Sequence, residues 1–517
     1  MTTYAHNLNA YRSLRLPWTF LALFFLFILS SLAGTGLVYS TLLIVFIVLT
    51  LLAIRTLGGM ASLFGFTVLY FAFHHVFTAE ITKFIVWQPL DSNLLQPNPT
   101  MGAYVLCMFG ILVAAHLFKH SAYFKRKPLL TPVTSPRELM LITIVAIALD
   151  ASRILIIALG GNSSVQGGTH ETLGMMVLKS LDVLNVFTVV VATAYVVTSS
   201  AGKRMLSLMN GIPLAFTFAN GLVTSYRGAM GLPVVEMLLA AFFFGYRFKR
   251  RDYILILVML VLFEGVLFPF SYYTRGAIRF EPSVEKKAEI TMKLFVDFMQ
   301  NREKYTEIGM SAAEKANRRQ HRWKERLYYF GDAKVPDFVD RFSTMILTDE
   351  IVNATINKGT VGLKFFPKGL LLGLPRLLAP DKPVSPVWPG NQLAHRVTSP
   401  RIVGKKDFVT GISCGFVADA FSCFSYAGVF LFSLVIFLTC FVLYSVVMGS
   451  SFKSNVFTVT YIILLANALS ELVVVSILVD TFEGNILGFV ALALIVALSK
   501  FMAANSKLLQ LRPRTVS

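Results

Sequence analysis

Charge is what this chain has least of. Only 15% of its 517 residues are Asp, Glu, Lys or Arg, against 55% hydrophobic ones, and the mean hydropathy is +0.66. A soluble chain carries about 25% charged residues, so an ordinary soluble protein is excluded. Short segments of alternating apolar and polar residues are missing as well, which excludes a transmembrane β-barrel. Cysteine is scarce: Cys107, Cys414, Cys423 and Cys440 have no metal-ligand spacing and read as buried thiols, with only Cys414 and Cys423 placed to pair. No Walker or dinucleotide glycine motif occurs, so no nucleotide-binding fold is expected. His116 and His120 stand four apart but have no carboxylates beside them, and no metal centre is expected there.

What the chain does have is long apolar runs. Blocks of about 17–25 residues match the length a helix needs to cross a hydrocarbon core. Twelve can be read: Leu16–Ala33, Leu37–Ile54, Met60–Phe77, Met101–Phe118, Leu139–Leu159, Leu173–Val197, Met205–Val223, Leu232–Phe248, Tyr253–Phe270, Phe421–Val447, Val456–Val479 and Ile486–Met502. The polar start Met1–Arg15 runs into the first block without a small-residue cleavage site, so that block is expected to be retained as a span.

The short connections divide by charge. Arg12, Arg15, Arg55, Lys119, Lys125, Arg126, Lys127, Arg137, Lys203, Arg204, Arg247, Lys249, Arg250, Arg251, Lys453 and Lys500 fall on one side. The opposite connections, such as Gly160–Thr172 and Asp480–Asn485, carry none, and Glu80–Thr100 carries one lysine. Positive charge marks the cytoplasmic side, so both termini are expected there. This topology puts Tyr272–Thr410 outside, between spans nine and ten. The expected fold is an all-α integral membrane protein of about twelve transmembrane helices with one large, partly helical exterior loop. Its expected parts are a membrane domain over 1–271, the loop over 272–410, and a second membrane domain with a cytoplasmic tail over 411–517.

The loop is the anomaly. It holds 24 Lys and Arg against 15 Asp and Glu, just over half of all charged residues in the chain. The formal net charge of +19 is concentrated there and in membrane-flanking turns, which suits anionic headgroups or phosphate rather than nucleic acid. Ile290, Leu294 and Phe298 recur at four-residue spacing and predict an amphipathic helix lying on the membrane surface. Gly309 is expected to end it, with Ser311–Tyr329 resuming as a second helix carrying Arg318, Arg319, Arg322 and Arg326, the pair reading either as solvated helices on the membrane surface or as a clamp for an anionic substrate. From Val361 onward Pro and Gly predict ordered loop.

That second half contains Phe365-Phe366-Pro367, the run Leu374-Pro375-Arg376-Leu377-Leu378-Ala379-Pro380-Asp381-Lys382-Pro383, then His395, Arg396 and Arg401. It ends in the stretch from Phe416-Val417-Ala418-Asp419 to Ser425-Tyr426-Ala427-Gly428, which opens a membrane helix. An earlier exterior turn reads Ser225-Tyr226-Arg227-Gly228. With the span arrangement, these elements resemble the bacterial O-antigen polymerase (Wzy) and oligosaccharide repeat-unit polymerase group. Two departures stand out: Asp419 occupies a position where many members carry Glu, and the small residue of the following motif is displaced to Gly428.

The resemblance implies a metal-independent glycosyltransferase of GT-C-like architecture in the bacterial inner membrane, with the basic loop in the periplasm. Its substrate would be an undecaprenyl-pyrophosphate-linked oligosaccharide, polymerised into O-antigen or exopolysaccharide without a cofactor. The implied partners are membrane lipids, a chain-length regulator and a flippase, with no nucleic acid. A departing pyrophosphate gains charge, and fixed cations stabilise it. Arginine suits this because its planar fork holds phosphate oxygens in pairs and stays charged. The candidate phosphate ligands are Arg227, Arg275, Arg376, Lys382 and Arg401. Asp419, His395 and Glu264 are the candidates for activating the acceptor hydroxyl. Arg279 lies near Arg275 but reads more readily as a headgroup contact.

Ionisable residues inside spans are candidates by default. Asp150 and Arg153, and likewise Lys179 and Asp182, stand three apart and are expected to pair on one helix face. Glu264 and Glu471 have no partner within their own helices. Three other readings fit the same architecture: a ligase-like glycan transferase, a transporter, and a non-catalytic scaffold. A transporter usually shows two related halves, and none are visible here.

Overall fold

The computed structural model describes residues 25, 27–59, 62–125, 135–159, 183–224, 227–271, 284–301, 329–330, 344–367, 415–448, 455–471 and 485–505, with single omissions at 268 and 365 and isolated positions at 133, 178, 181, 274, 474 and 477. Every regular element among them is a helix. In chain order these are α1 (Leu37–Thr56), α2 (Leu63–Ala72), α3 (Thr78–Ile85), α4 (Pro97–His120), α5 (Pro136–Leu159), α6 (Val183–Ser199) and α7 (Leu208–Thr224). They continue with α8 (Arg227–Phe244), α9 (Arg250–Leu262), α10 (Val284–Gln300), α11 (Met345–Lys358), α12 (Phe416–Met448), α13 (Val456–Glu471) and α14 (Asn485–Asn505). Single π turns, Phe73–Phe77 and Phe263–Leu267, join α2 to α3 and extend α9.

Among the described residues, five helices are long and apolar enough to cross a membrane: α1, α4, Pro136–Ile156 of α5, Arg250–Ser271 and α12. Val183–Ser199, Met230–Phe244, Val456–Leu465 and Gly488–Met502 are shorter apolar helices. Each overlaps an expected span, and the expected span Leu16–Ala33 lies mostly outside the described residues. Two boundaries differ from expectation. Helix continues past the third block's expected end at Phe77 through the π turn to Ile85, so Glu80 and Lys83 of the connection that follows the block are helical. Arg227 and Gly228 form the first turn of α8 rather than a connecting turn. Burial of Met230 against Phe263 and Leu267 draws that end into the helix and overrides the weak helix propensity of glycine.

The chain forms two compact units. The first contains α1–α4, α11 and α12. Its centre is aromatic: Phe64, Phe71, Phe118, Phe437 and Phe441 are buried and meet mostly edge to face at 5.0–5.9 Å. Helices α4 and α12 cross closely because Gly110 has no side chain. A Cβ there would lie 2.1 Å from Ser433 Oγ and 2.8 Å from the Phe430 carbonyl. Such small-residue crossings hold helices together where lipid removes the hydrophobic driving force.

The second unit contains α5–α10, the start of α13 and α14. Phe187 stacks on Phe457, and Val183 packs against Gly488. Asp150 and Arg153 pair at 3.0 Å, buried on α5 as their spacing predicts, while Lys179 and Asp182 lie outside the described residues. Helix α10 is amphipathic as expected, but it is docked rather than solvated. Lys287, Thr291 and Phe298 are buried, and Phe270 meets Phe298 and Phe295 edge to face. Burying one such phenylalanine contributes about 2 kcal/mol, enough to hold the helix down. The second predicted helix, Ser311–Tyr329, lies outside the described residues except for Tyr329.

Candidate functional site

Asp419 sits in the first turn of α12, one and a half turns before that helix breaks. The break is backbone-deep: Phe424 has φ −142° and ψ 28°, and Ser425 has φ +54° and ψ −140°. The turn that follows folds back against the first half-helix. Gly428 lies so close to the Ala420 carbonyl that a Cβ would come within 2.3 Å of its oxygen. Glycine at this displaced motif position therefore answers a steric need, because the two half-helices meet there. Breaking the helix strands the Ser422 and Cys423 carbonyls. The backbone N–H groups of Val361 and Gly362 donate to them at 2.8 and 3.0 Å. Just beyond, Phe366 stacks on Phe432 at 5.3 Å. The start of the Pro- and Gly-rich segment is thus fastened to the broken helix.

The Asp419 carboxylate is buried and accepts the Val474 N–H at 3.0 Å. Ser422 Oγ donates to the Asp419 carbonyl at 2.8 Å. Cys423, like Cys107 and Cys440, is buried and forms no disulfide among the described residues. Among the other predicted residues, Arg227 opens α8 and Glu264 lies in the π turn Phe263–Leu267, both in the second unit, with neither side chain described. Arg275, Arg376, Lys382, His395 and Arg401 lie outside the described residues. Asp419 is consequently the predicted site residue whose surroundings are on view.

A second polar centre in the same unit escaped the sequence reading. It lies where α11, part of the hydrophilic segment, packs against α4 and α12. The Asp349 carboxylate accepts the N–H groups of Leu95 and Gln96 at 2.5 and 2.8 Å and the Thr100 hydroxyl at 2.9 Å. Helix α4 needs this, since Gln96 offers it no side-chain cap. Tyr104 and Thr348 hydroxyls meet at 2.8 Å, and His75 Nδ1 meets Thr344 Oγ1 at 2.8 Å.

Beside this seam, Tyr39 donates to Glu80 Oε1 at 2.7 Å, and Glu80 Oε2 has no hydrogen-bond partner among the described residues. One turn on, Lys83 is fully buried. Its Nζ lies 3.9 Å over the Tyr329 ring and donates to the Leu90 carbonyl at 3.1 Å and to the Ser92 carbonyl. Burial raises the Glu80 carboxyl to about 7, against the opposing Tyr39 hydrogen bond and Lys83 charge. Burial likewise lowers the Lys83 ammonium to about 8, with Glu80, Asp91 and Asp349 opposing. The Tyr329 phenol is raised, first by burial and then by Glu80. Burial thus moves the carboxyl up and the amine down, both toward the neutral range in which acid–base groups are useful. The sequence signal was Glu80 and Lys83 at helical spacing just past an apolar run, with Lys83 the single cation of an otherwise uncharged-to-acidic connection.

No protein-family model matches this chain, and neither a curated protein nor a solved structure is similar to it.

Proposed function

We propose that this chain is a membrane glycosyltransferase that joins oligosaccharide repeat units carried on a polyprenyl pyrophosphate into a surface polysaccharide. The observation that supports this reading most is the broken helix around Asp419, within the stretch that carries the resemblance to repeat-unit polymerases. A carboxylate buried one and a half turns before a helix break, beside the start of the Pro- and Gly-rich segment, suits the holding of an acceptor hydroxyl. In this proposal the twelve-span topology places both termini in the cytoplasm and the segment 272–410 in the periplasm. Arg227, Arg275, Arg376, Lys382 and Arg401 serve the leaving pyrophosphate, while Asp419, His395 and Glu264 serve the acceptor. The lipid-linked donor and acceptor are the partners, beside a flippase and a chain-length regulator.

The reading is tested by surface-glycan gels from a deletion strain carrying the wild-type gene, the Asp419→Asn variant or an empty vector. The expected result is a full ladder with wild type and a single repeat unit on the lipid anchor with the vector. Asp419→Asn is expected to fall to the vector pattern at unchanged protein level. Polymer that accumulates free of its final acceptor would instead identify a ligase. An unchanged ladder in the deletion strain would remove glycan assembly from the account.

A further inference from the structure

The second unit carries a concentration of positive charge that its own fold does not neutralise. Lys203, Arg204, Arg247, Lys249, Arg250 and Arg251 stand on two turns, one before α7 and one between α8 and α9, and all six are exposed. The turns are far apart in sequence, and the fold joins them. A Cβ on Gly202 would lie 3.1 Å from the Gly245 carbonyl oxygen. Both glycines have positive φ, +79° and +96°, which bends each turn tightly enough for the two to meet. Met205 and Tyr246 are buried in one cluster, with Phe248 packed against it. Residues 246–249 are extended, so turning Tyr246 and Phe248 inward leaves Arg247 and Lys249 outward. Ser200 Oγ accepts the Arg204 N–H at 3.0 Å and fixes the first turn.

The acid beside these cations, Asp252, is committed inward. It is buried, and its Oδ2 accepts the Tyr246 hydroxyl at 2.8 Å and the Lys249 N–H at 2.7 Å. Arg251 Nε approaches its other oxygen at 3.7 Å, and the remaining five cations form no ion pair among the described residues. Helix stability does not call for this charge either. Arg250 and Arg251 lie in the first turn of α9, where the helix dipole disfavours cations. The patch is bordered by exposed apolar side chains, Leu208 on one turn and Tyr253 and Ile254 on the other. Arg250 also opens a helix long and apolar enough to cross a membrane.

We infer that the two joined turns form a binding surface for anionic phospholipid headgroups. The cations take the phosphates, for which the forked guanidinium of arginine is suited, while Leu208, Tyr253 and Ile254 meet the upper acyl chains. A soluble phosphate would use the cations but gain nothing from the apolar border. Cations that merely orient single spans need no contact between their turns. Here the close approach of Gly202 and Gly245 holds six of them as one surface, which can engage several phosphate oxygens at once. The inference stands apart from the glycan reading.

Native mass spectrometry of the purified full-length protein tests this, with dioleoyl phosphatidylglycerol titrated against phosphatidylcholine of the same acyl chains. The wild-type protein is expected to bind the anionic lipid about 100-fold more tightly, three engaged cations at about a factor of five each. Arg204→Gln, Arg247→Gln and Arg250→Gln combined should lose that preference, and lysine at the same three positions should keep most of it. Glutamine at Arg55, Lys119 and Arg137, exposed cations at three separate helix ends, should leave it within a few-fold. Equal affinity of the wild-type protein for the two lipids overturns the inference, and so does an equal loss in the scattered variant. Displacement of the lipid by glycerol 3-phosphate at the same concentration would mark a site for soluble anions and overturn it as well. The wild-type comparison of the two lipids decides even where a triple variant does not fold.

Discussion

Replacing Asp349 with alanine is expected to release α11 from the start of α4 at a cost of about 3–5 kcal/mol. The carboxylate takes three donors at once: the backbone N–H groups of Leu95 and Gln96, and the Thr100 hydroxyl. It also puts negative charge at the N-terminus of α4, where the helix dipole favours it. Alanine leaves all three donors short of an acceptor in a half-buried place. Asparagine is expected to recover less than half of the loss, because its amide nitrogen turns a donor toward donors. Hydrogen exchange reads the effect directly. The amides of Met345–Lys358 should exchange much faster in Asp349→Ala, while those of α6 and α8 in the second unit keep their protection. Unchanged exchange in Met345–Lys358 would mean that the carboxylate does not hold the helix.

The second large effect is a dip in stability of the first unit between pH 7 and 8. Glu80 ionises at about 7 when folded against an ordinary 4.5. A raised carboxyl binds more protons in the folded state, so its contribution is complete below 4.5 and lost as pH rises through 7. Lys83 works in the other direction. Its folded value, about 8, is below the ordinary 10.5, so its penalty is present below 8 and lifts as pH rises toward 10.5. Each shift is worth about 3 kcal/mol, and both groups are almost wholly screened from solvent. Glu80→Gln should abolish the decline on the acid side, and Lys83→Met the rise on the alkaline side. The check is exchange of the α1 and α11 amides at pH 5, 7.5 and 10. A profile flat in the wild-type protein would show that neither group titrates in the folded chain as its burial implies.

Much of the helical frame was readable in advance because it depends on local patterns. The apolar runs around Leu37–Thr56, Pro97–His120 and Phe416–Met448 needed no partner to be recognised. Asp150 and Arg153 announced their pairing by spacing alone, and the stripe of Ile290, Leu294 and Phe298 gave α10. What could not be read was what those faces would meet. Helix α10 looks like a surface helix until Phe270 covers it. Helix α11 has mixed polarity because half of its buried residues are polar and serve as partners, as Thr348 and Asp349 do for Tyr104 and Thr100. The break at Ser425 goes together with the close approach of Gly428 to Ala420, a contact between two half-helices that is not contained in a propensity. The histidine and the four basic candidates other than Arg227 rest on short motifs, which specify residue types but not the partners that assemble them.

The claim that matters most is that this chain builds polymer, and the most direct measurement is chain growth by the purified protein. Lipid-linked repeat units are supplied in detergent or in vesicles, with no nucleotide sugar and no other enzyme, and the glycan is sized after release from the lipid. The account predicts products of several repeat units with the wild-type protein and single units with Asp419→Asn. Folded wild-type protein that leaves its lipid-linked units at single length would contradict it.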